Sequence, residues 1–176
     1  MAHLCVVMCT YQGERYLPEQ LASVLAQRVL PDSMVIVDDA STDGTVGIAR
    51  EFAEQAPFPV DVNVNARNLG FARNFERAIS LADGEVLVLS DQDDVWMENR
   101  LQRIGRVFDE ASEVAFVFSD AELVDGELRP LRERLSAAVQ FGPEARRAAA
   151  AGGLFEVLVR GNVVTGATMA FRSRYR

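Results

Sequence analysis

Lysine is absent from the 176 residues. All 18 basic side chains are arginine, and the sole histidine is His3. These absences exclude several chemistries. A Walker P-loop ends on a lysine, Schiff-base catalysis needs an amine, and a Ser-His-Asp or Cys-His relay needs an imidazole in its site. Cysteine is scarce as well: Cys5 and Cys9 complete the count. With His3 they lie on one short segment, so a zinc site of His and Cys has no second arm. Four apart on what reads as a strand, the two thiols share a face about 13 Å from each other, too far to bridge. With no disulfide framework and no signal-peptide pattern, a reducing cytoplasm is the expected setting. Long apolar runs are missing too. None approaches the roughly 18 residues of a membrane-spanning helix, so membrane contact at the inner face is expected to be peripheral at most.

What is present is ordinary for a folded protein: 49% hydrophobic and 25% charged residues. The length suits one domain with a sizeable core, or one domain and part of a second. A net charge of −8 argues against nucleic acid as a partner. The charge is unevenly spread. Residues 129–176 carry nine arginines against Glu133, Glu144 and Glu156. An acidic body with a basic end suits an anionic membrane or a lipid-phosphate substrate, and equally a plain solvated surface.

Apolar runs alternate with helical spacings along the chain. Leu4–Met8 reads as a buried strand, and Tyr16–Gln27 as a helix with Leu17, Leu21, Val24 and Leu25 on one face. Met34–Val37, Val60–Val64, Glu85–Leu89 and Val114–Phe118 read as further strands. Thr45–Ala56, Phe71–Ala82 and Met97–Ala111 read as helices. Strands apolar on both faces, separated by amphipathic helices, imply a parallel sheet covered on both sides. Beyond Asp120 the pattern changes. Asp125-Gly126 predicts a hairpin turn, residues 142–159 contain a helix, and Val163–Phe171 a last strand. The expectation is an α/β fold, mostly parallel, with helices on both faces and a mixed edge at its C-terminal side. Residues 1–120 form its ligand-binding region, and 121–176 begin a second.

Ligands of open parallel sheets bind beyond the carboxyl ends of the strands, and the polar residues collect there. The first strand runs into Thr10-Tyr11, the second into Asp38-Asp39, and the fourth into Ser90-Asp91-Gln92-Asp93-Asp94. Ser41, Thr42 or Asp43 can cap the following helix, which leaves two adjacent acids unexplained. Asp39 would accept from a nucleobase N–H or from ribose hydroxyls. Three carboxylates within four residues repel unless neutralised, most simply by a divalent cation shared with a diphosphate. The alternative is an exposed capping cluster ahead of Trp96. Phe71, Phe75 and Trp96 read as core packing.

The same residues admit two rivals. Val86–Val95 resembles the nucleophile motif of haloacid-dehalogenase phosphatases, which places that motif near the N-terminus and needs a downstream lysine or arginine. A Rossmann dehydrogenase fails earlier, because the first strand leads into Cys-Thr-Tyr-Gln-Gly-Glu and not Gly-x-Gly-x-x-Gly.

Four blocks taken together resemble family 2 glycosyltransferases of the GT-A fold. They are Val6–Glu14 with Leu21–Gln27, Val35–Thr45, Asn68–Asn74 and Val88–Trp96. The wording Ser-Asp-Gln-Asp-Asp-Val-Trp is similar to bacterial enzymes that add rhamnose or related sugars to surface polysaccharides. The resemblance implies a GT-A-type, Rossmann-like sheet. It also implies inverting transfer from a nucleotide diphosphate sugar, dTDP- or UDP-linked, to a glycan or lipid-linked acceptor, with Mg²⁺ or Mn²⁺. It implies that Thr10 and Tyr11 line the base pocket, with Tyr11 stacking, and that Asp39 holds the base beside Asp38 and Glu14. Asn68, Gly70 and Arg73 would face the donor with Asp91 and Gln92, and Asp91 and Asp93 would hold the metal, Asp93 the more direct ligand. A non-catalytic nucleotide-binding module is the alternative.

An inverting enzyme needs a carboxylate to deprotonate its acceptor. In this family it follows the glycine-bearing strand, here Val163–Phe171, yet no acid follows Glu156. The base is therefore expected beyond Arg176, with Asp120 reading better as the end of the fifth strand. Binding of a nucleotide diphosphate with little transfer is the corresponding expectation.

Overall fold

A computed structural model describes residues 2–176. The chain divides into two compact units. One runs to Val117 and takes back Ala170–Arg176, and the other is Phe118–Met169.

The first unit alternates strand and helix: β1 (Leu4–Thr10), α1 (Leu17–Leu25), β2 (Ser33–Asp38), α2 (Thr45–Gln55), β3 (Val60–Val64), α3 (Phe71–Leu81), β4 (Val86–Ser90), α4 (Arg100–Glu110) and β5 (Phe116–Phe118). β1 pairs in parallel with β2 and β4, and β2 with β3. Since β1 to β3 march one way and β4 returns to the far side of β1, right-handed crossovers put α1 and α2 on one face and α3 on the other. That is why the strands read as continuously apolar: Cys5, Val6, Val7 and Met8 are all fully buried, as are Val86, Leu87 and Val88. Burying each Val, Leu or Met side chain favours folding by about 1.5–3 kcal/mol.

The second unit holds the hairpin β6 (Glu122–Val124) and β7 (Pro130–Arg134), then α5 (Leu135–Ala138), α6 (Pro143–Ala148), a π-helical turn at Ala149–Gly153 and α7 (Leu154–Arg160). The hairpin turns where Asp125-Gly126 predicts: Leu128 N–H donates to the Asp125 carbonyl at 2.9 Å. Its carboxylate accepts the N–H groups of Glu127 and Arg129, each at 3.0 Å. The expected helix over 142–159 is interrupted, because Gly152 turns at φ +92°, a left-handed value that ends one helix and starts another.

The last strand differs most from expectation. β8 spans only Met169–Arg172, since Gly166–Thr168 forms a 3₁₀ turn closed by Thr168 N–H on the Thr165 carbonyl at 3.1 Å. Nor is β8 an edge. The sheet order is β3-β2-β1-β4-β8-β5, with β8 antiparallel to β4 and Val88 opposite Ala170. Arg172 then ties down α4. Its guanidinium donates to the carbonyls of Phe108 at 2.8 Å, Ala111 at 3.0 Å and Val114 at 2.9 Å, satisfying acceptors the helix end leaves open.

Candidate active site

The parallel strands β3, β2, β1 and β4 bring their carboxyl ends to one rim, and the direction of winding reverses between β1 and β4. Hydrogen bonds run along this rim without a break. At the reversal, Tyr11 N–H donates to Gln92 Oε1 at 2.8 Å, and Gln92 Nε2 donates to the Tyr11 carbonyl at 3.0 Å. A side chain on Gly13 would collide with the Gln92 amide, which explains glycine there. Tyr11 itself is 49% exposed, its ring free to meet a planar ligand.

One step along, Asp38 is fully buried. It accepts from Thr10 Oγ1 at 2.8 Å, from Ser41 N–H at 2.8 Å and from Ser41 Oγ at 2.6 Å. Expected among the donor-binding residues, Asp38 presents no surface to a ligand, because the turn after β2 takes its lone pairs. Thr10, 2% exposed, is committed to that turn in the same way. Glu14, also expected at the donor site, is exposed and has a structural partner. Its carboxylate accepts Gly44 N–H at 2.6 Å and so serves the start of α2. Gln12 and Gly13 are stitched to the same turn through Ser41 Oγ at 2.9 Å and Thr45 Oγ1 at 2.7 Å. Of the three expected caps, Asp43 accepts from Thr45 N–H at 3.1 Å, whereas Ser41 turns back to Asp38.

Asp39, 3% exposed, reaches the next strand end. Oδ1 accepts from Asn65 Nδ2 at 2.7 Å and Leu69 N–H at 2.8 Å, and Oδ2 accepts Gly70 N–H at 2.9 Å. A carboxylate offers about four acceptor positions, so Oδ2 keeps one for a ligand. Asn68 is exposed, its Oδ1 accepting Gly70 N–H at 3.0 Å, and Arg73 is exposed on the first turn of α3. Phe71 is 70% exposed and stacks at 4.9 Å on buried Phe75, so only Phe75 and Trp96 pack as expected. The strong helical periodicity placed Phe71 inside, but it opens α3 at the rim, where no neighbouring element covers it.

On the other side of Tyr11, Asp91 is half-buried and Asp93 exposed. Burial, then the charges of Asp94 and Asp93, push the Asp91 carboxyl up to about 6. Asp94 is pushed up by burial and Asp93, against the pull of Arg100. Such a cluster is short of positive charge. Among the described residues no group of three or more His, Cys, Asp or Glu side chains is arranged as a metal cage. Hard oxygen donors from one or two carboxylates fit Mg²⁺ or Mn²⁺ when a diphosphate completes the shell. Cys9 was missed by the sequence reading. Burial, then the charges of Asp91 and Asp39, drive its thiol far above the usual range. The alternation of buried and open positions at the end of β1 was the available signal. Also missed was a polar stripe that runs along α1 and just past its end: Gln20, Ser23 and, two residues beyond the helix, Gln27 are all buried.

The model of the family described as glycosyl transferase family 2 matches residues 5–168. An uncharacterised glycosyltransferase of Nostoc sp. is 37% identical over 123 residues, 70% of this chain and 38% of that one. The dTDP-rhamnosyl transferase RfbG of Shigella flexneri is 36% identical over 99 residues, 54% of this chain and 34% of its own. The chain thus spans between a third and two fifths of the length of these relatives. Among solved structures, S. aureus TarS in complex with UDP superposes with a TM-score of 0.56 at 29% identity, over 61% of this chain and 32% of that one. The mannosyltransferase PcManGT of Pyrobaculum calidifontis, in complex with GDP-Man and Mn²⁺, does so with a TM-score of 0.60 at 25% identity, over 70% and 36%. With its Asp91–Asp94 turn and Tyr11 on the rim of a mostly parallel sheet, the chain belongs to glycosyl transferase family 2 and has the α/β architecture of GT-A glycosyltransferases.

Proposed function

We propose that the chain is the donor-binding part of a metal-dependent glycosyltransferase. It would move a sugar, with inversion, from a dTDP- or UDP-linked donor to a surface glycan or lipid-linked acceptor. The observation that carries this reading is the reciprocal Tyr11–Gln92 pairing, which fixes an exposed aromatic ring beside the acidic turn. A nucleotide spans a base and a diphosphate, and this rim offers a surface for each. The complexes of TarS with UDP and of PcManGT with GDP-Man and Mn²⁺ support the donor class.

In this reading Tyr11 stacks on the base, and the free acceptor position of Asp39 takes a base N–H. Asn68, Gly70 and Arg73 line the donor's other flank. Asp93, with Asp91 behind it, holds Mg²⁺ or Mn²⁺, whose chemistry is to neutralise charge as the diphosphate leaves. With its pKa raised only to about 6, Asp91 is mostly ionised at neutral pH and would offer that cation a carboxylate. The acceptor side belongs to the Phe118–Met169 unit, where Phe118, Leu135, Val139, Phe141 and Val163 line a cavity of about 210 Å³. No helix among the described residues is long and apolar enough to cross a membrane. Contact with a lipid-linked acceptor, in this reading, is peripheral and at the cytoplasmic face.

Thermal melts with a panel of nucleotide diphosphates and their sugars, with and without Mn²⁺, test the reading. A donor at one hundred times its Kd stabilises by about 2.7 kcal/mol. The expected result is a Mn²⁺-dependent rise for dTDP or UDP forms that vanishes in Asp93→Asn. No rise with any nucleotide overturns it.

A further inference from the structure

The buried polar stripe on α1 has a single destination. Gln20, Ser23 and Gln27 are 0%, 7% and 6% exposed; Gln20 and Ser23, three apart, share one line of α1, and Gln27 follows just past the helix end at Leu25. Side chains of this kind are buried only where partners meet them. Apart from bonds within the stripe itself, the partners lie in the segment from Ser90 to Leu101. Ser23 Oγ accepts Trp96 N–H at 3.0 Å. Gln27 Nε2 donates to the Met97 carbonyl at 2.9 Å, and its Oε1 accepts Leu101 N–H at 3.0 Å. In the amide orientation that satisfies all its neighbours, Gln20 donates to the Asp94 carbonyl and to Ser23 Oγ at 2.9 Å. The same amide accepts from Trp96 Nε1 at 3.2 Å and from Ser90 Oγ at 2.7 Å.

Between β4 and α4 this segment has no ladder or helix of its own. It carries three carboxylates in four residues, whose mutual repulsion favours an open, spread turn. Its backbone groups nonetheless have fixed partners, and α1 supplies them. An apolar face on α1 would pack equally well without fixing any direction. Hydrogen bonds to Asp94, Trp96 and Met97 fix where the turn ends, and the one to the Ser90 hydroxyl meets the residue before it.

We infer that Gln20, Ser23 and Gln27 are positioning residues that hold the Asp91–Asp94 turn in the shape that receives a divalent cation with a nucleotide diphosphate. The inference rests on the donor site proposed above and adds the part of the chain that shapes it. It implies that the turn is set in advance of the ligand.

Amide hydrogen exchange and calorimetric titration of UDP, with Mn²⁺ or with EDTA, test this on Gln20→Leu, Gln27→Leu, Ser23→Ala and Ser23→Thr. The expected result is at least tenfold faster exchange at residues 91–97, with β2 and α2 unchanged. Mn²⁺-dependent UDP affinity falls roughly tenfold or more, the scale of outer-shell effects on metal sites. UDP binding in EDTA stays within about twofold, as expected for a base pocket on the other side of Tyr11. Ser23→Thr, which keeps the hydroxyl, restores the affinity that Ser23→Ala loses. Should a leucine variant fail to fold, the Ser23 pair carries the test. Variants that melt earlier yet bind UDP with Mn²⁺ like the parent overturn the inference alone. A parent chain that binds no UDP under either condition overturns the donor-site reading and this inference together.

Discussion

In the proposed site two exposed or half-exposed groups and one buried one would divide the work, and substitutions should separate them. Tyr11 offers its ring to solvent, so Tyr11→Ala removes stacking worth about 1–3 kcal/mol per base. Nucleotide affinity should fall roughly ten- to a hundredfold while the melting temperature barely moves, as calorimetry and thermal melts would show. Asp39→Asn should do both, since a carboxamide has one oxygen to face Asn65, Leu69 and Gly70. Unfolding in urea should show a loss of about 1–3 kcal/mol. Asp91 gives a pH signature. Its folded value is raised to about 6, so the fold disfavours the charged form. Without metal, stability should decline as pH climbs from the unfolded carboxylate value of about 3.9 to about 6, then level off. Asp91→Asn should flatten that decline and melt higher at pH 7.5, yet lose Mn²⁺-dependent nucleotide binding. A pH-independent melt of the parent across that window would count against the assignment.

Among the elements, α4 depends on a residue far from it in sequence. Arg172→Met keeps the aliphatic stem but takes the guanidinium from the carbonyls of Phe108, Ala111 and Val114, leaving Ala111 only the long bond from Val114 N–H. The loss should be about 1–3 kcal/mol in urea, with hydrogen exchange rising at the end of α4 first. This is also the scale at which the sequence is most and least readable. β3 falls at Val60–Val64 as its alternation predicts, and α2 and α3 end within a residue of expectation, because local periodicity governs them. The insertion of β8 between β4 and β5 is not local. Three apolar residues and an arginine fit an edge as well as an interior position, and only tertiary pairing decides. The α1 stripe hid for a related reason. Glutamine and serine on a helix read as its wet face until their partners, some seventy residues on, are known. At the site, the carboxylate pair at Asp38-Asp39 and the turn at Asp91–Asp94 were legible from composition alone. That Asp38 and Glu14 serve backbone turns was not, since a structural and a ligand-binding acid look alike in sequence.

Across the whole molecule, base and cation should be felt by one another. Tyr11 and Gln92 lie 81 positions apart, and their paired amides join the two halves of the rim. Mn²⁺ should therefore tighten nucleotide binding by the same factor as nucleotide tightens Mn²⁺, a reciprocity that thermodynamics requires. Gln92→Ala should shrink that factor towards one while leaving each ligand some affinity of its own. A full titration grid of UDP against Mn²⁺ would reveal an unchanged factor if the pairing were incidental.

The place of β8 also sets a timetable for synthesis. Val86–Ser90 is made early, yet the neighbour that covers its outer side arrives with Met169–Arg172. Until then a growing polypeptide carries a bare, greasy hem, the kind of unpaired border on which foreign strands grow. Ribosome-bound chains halted before Met169 should accordingly need a chaperone's shelter, and those extended past Arg172 should shed it.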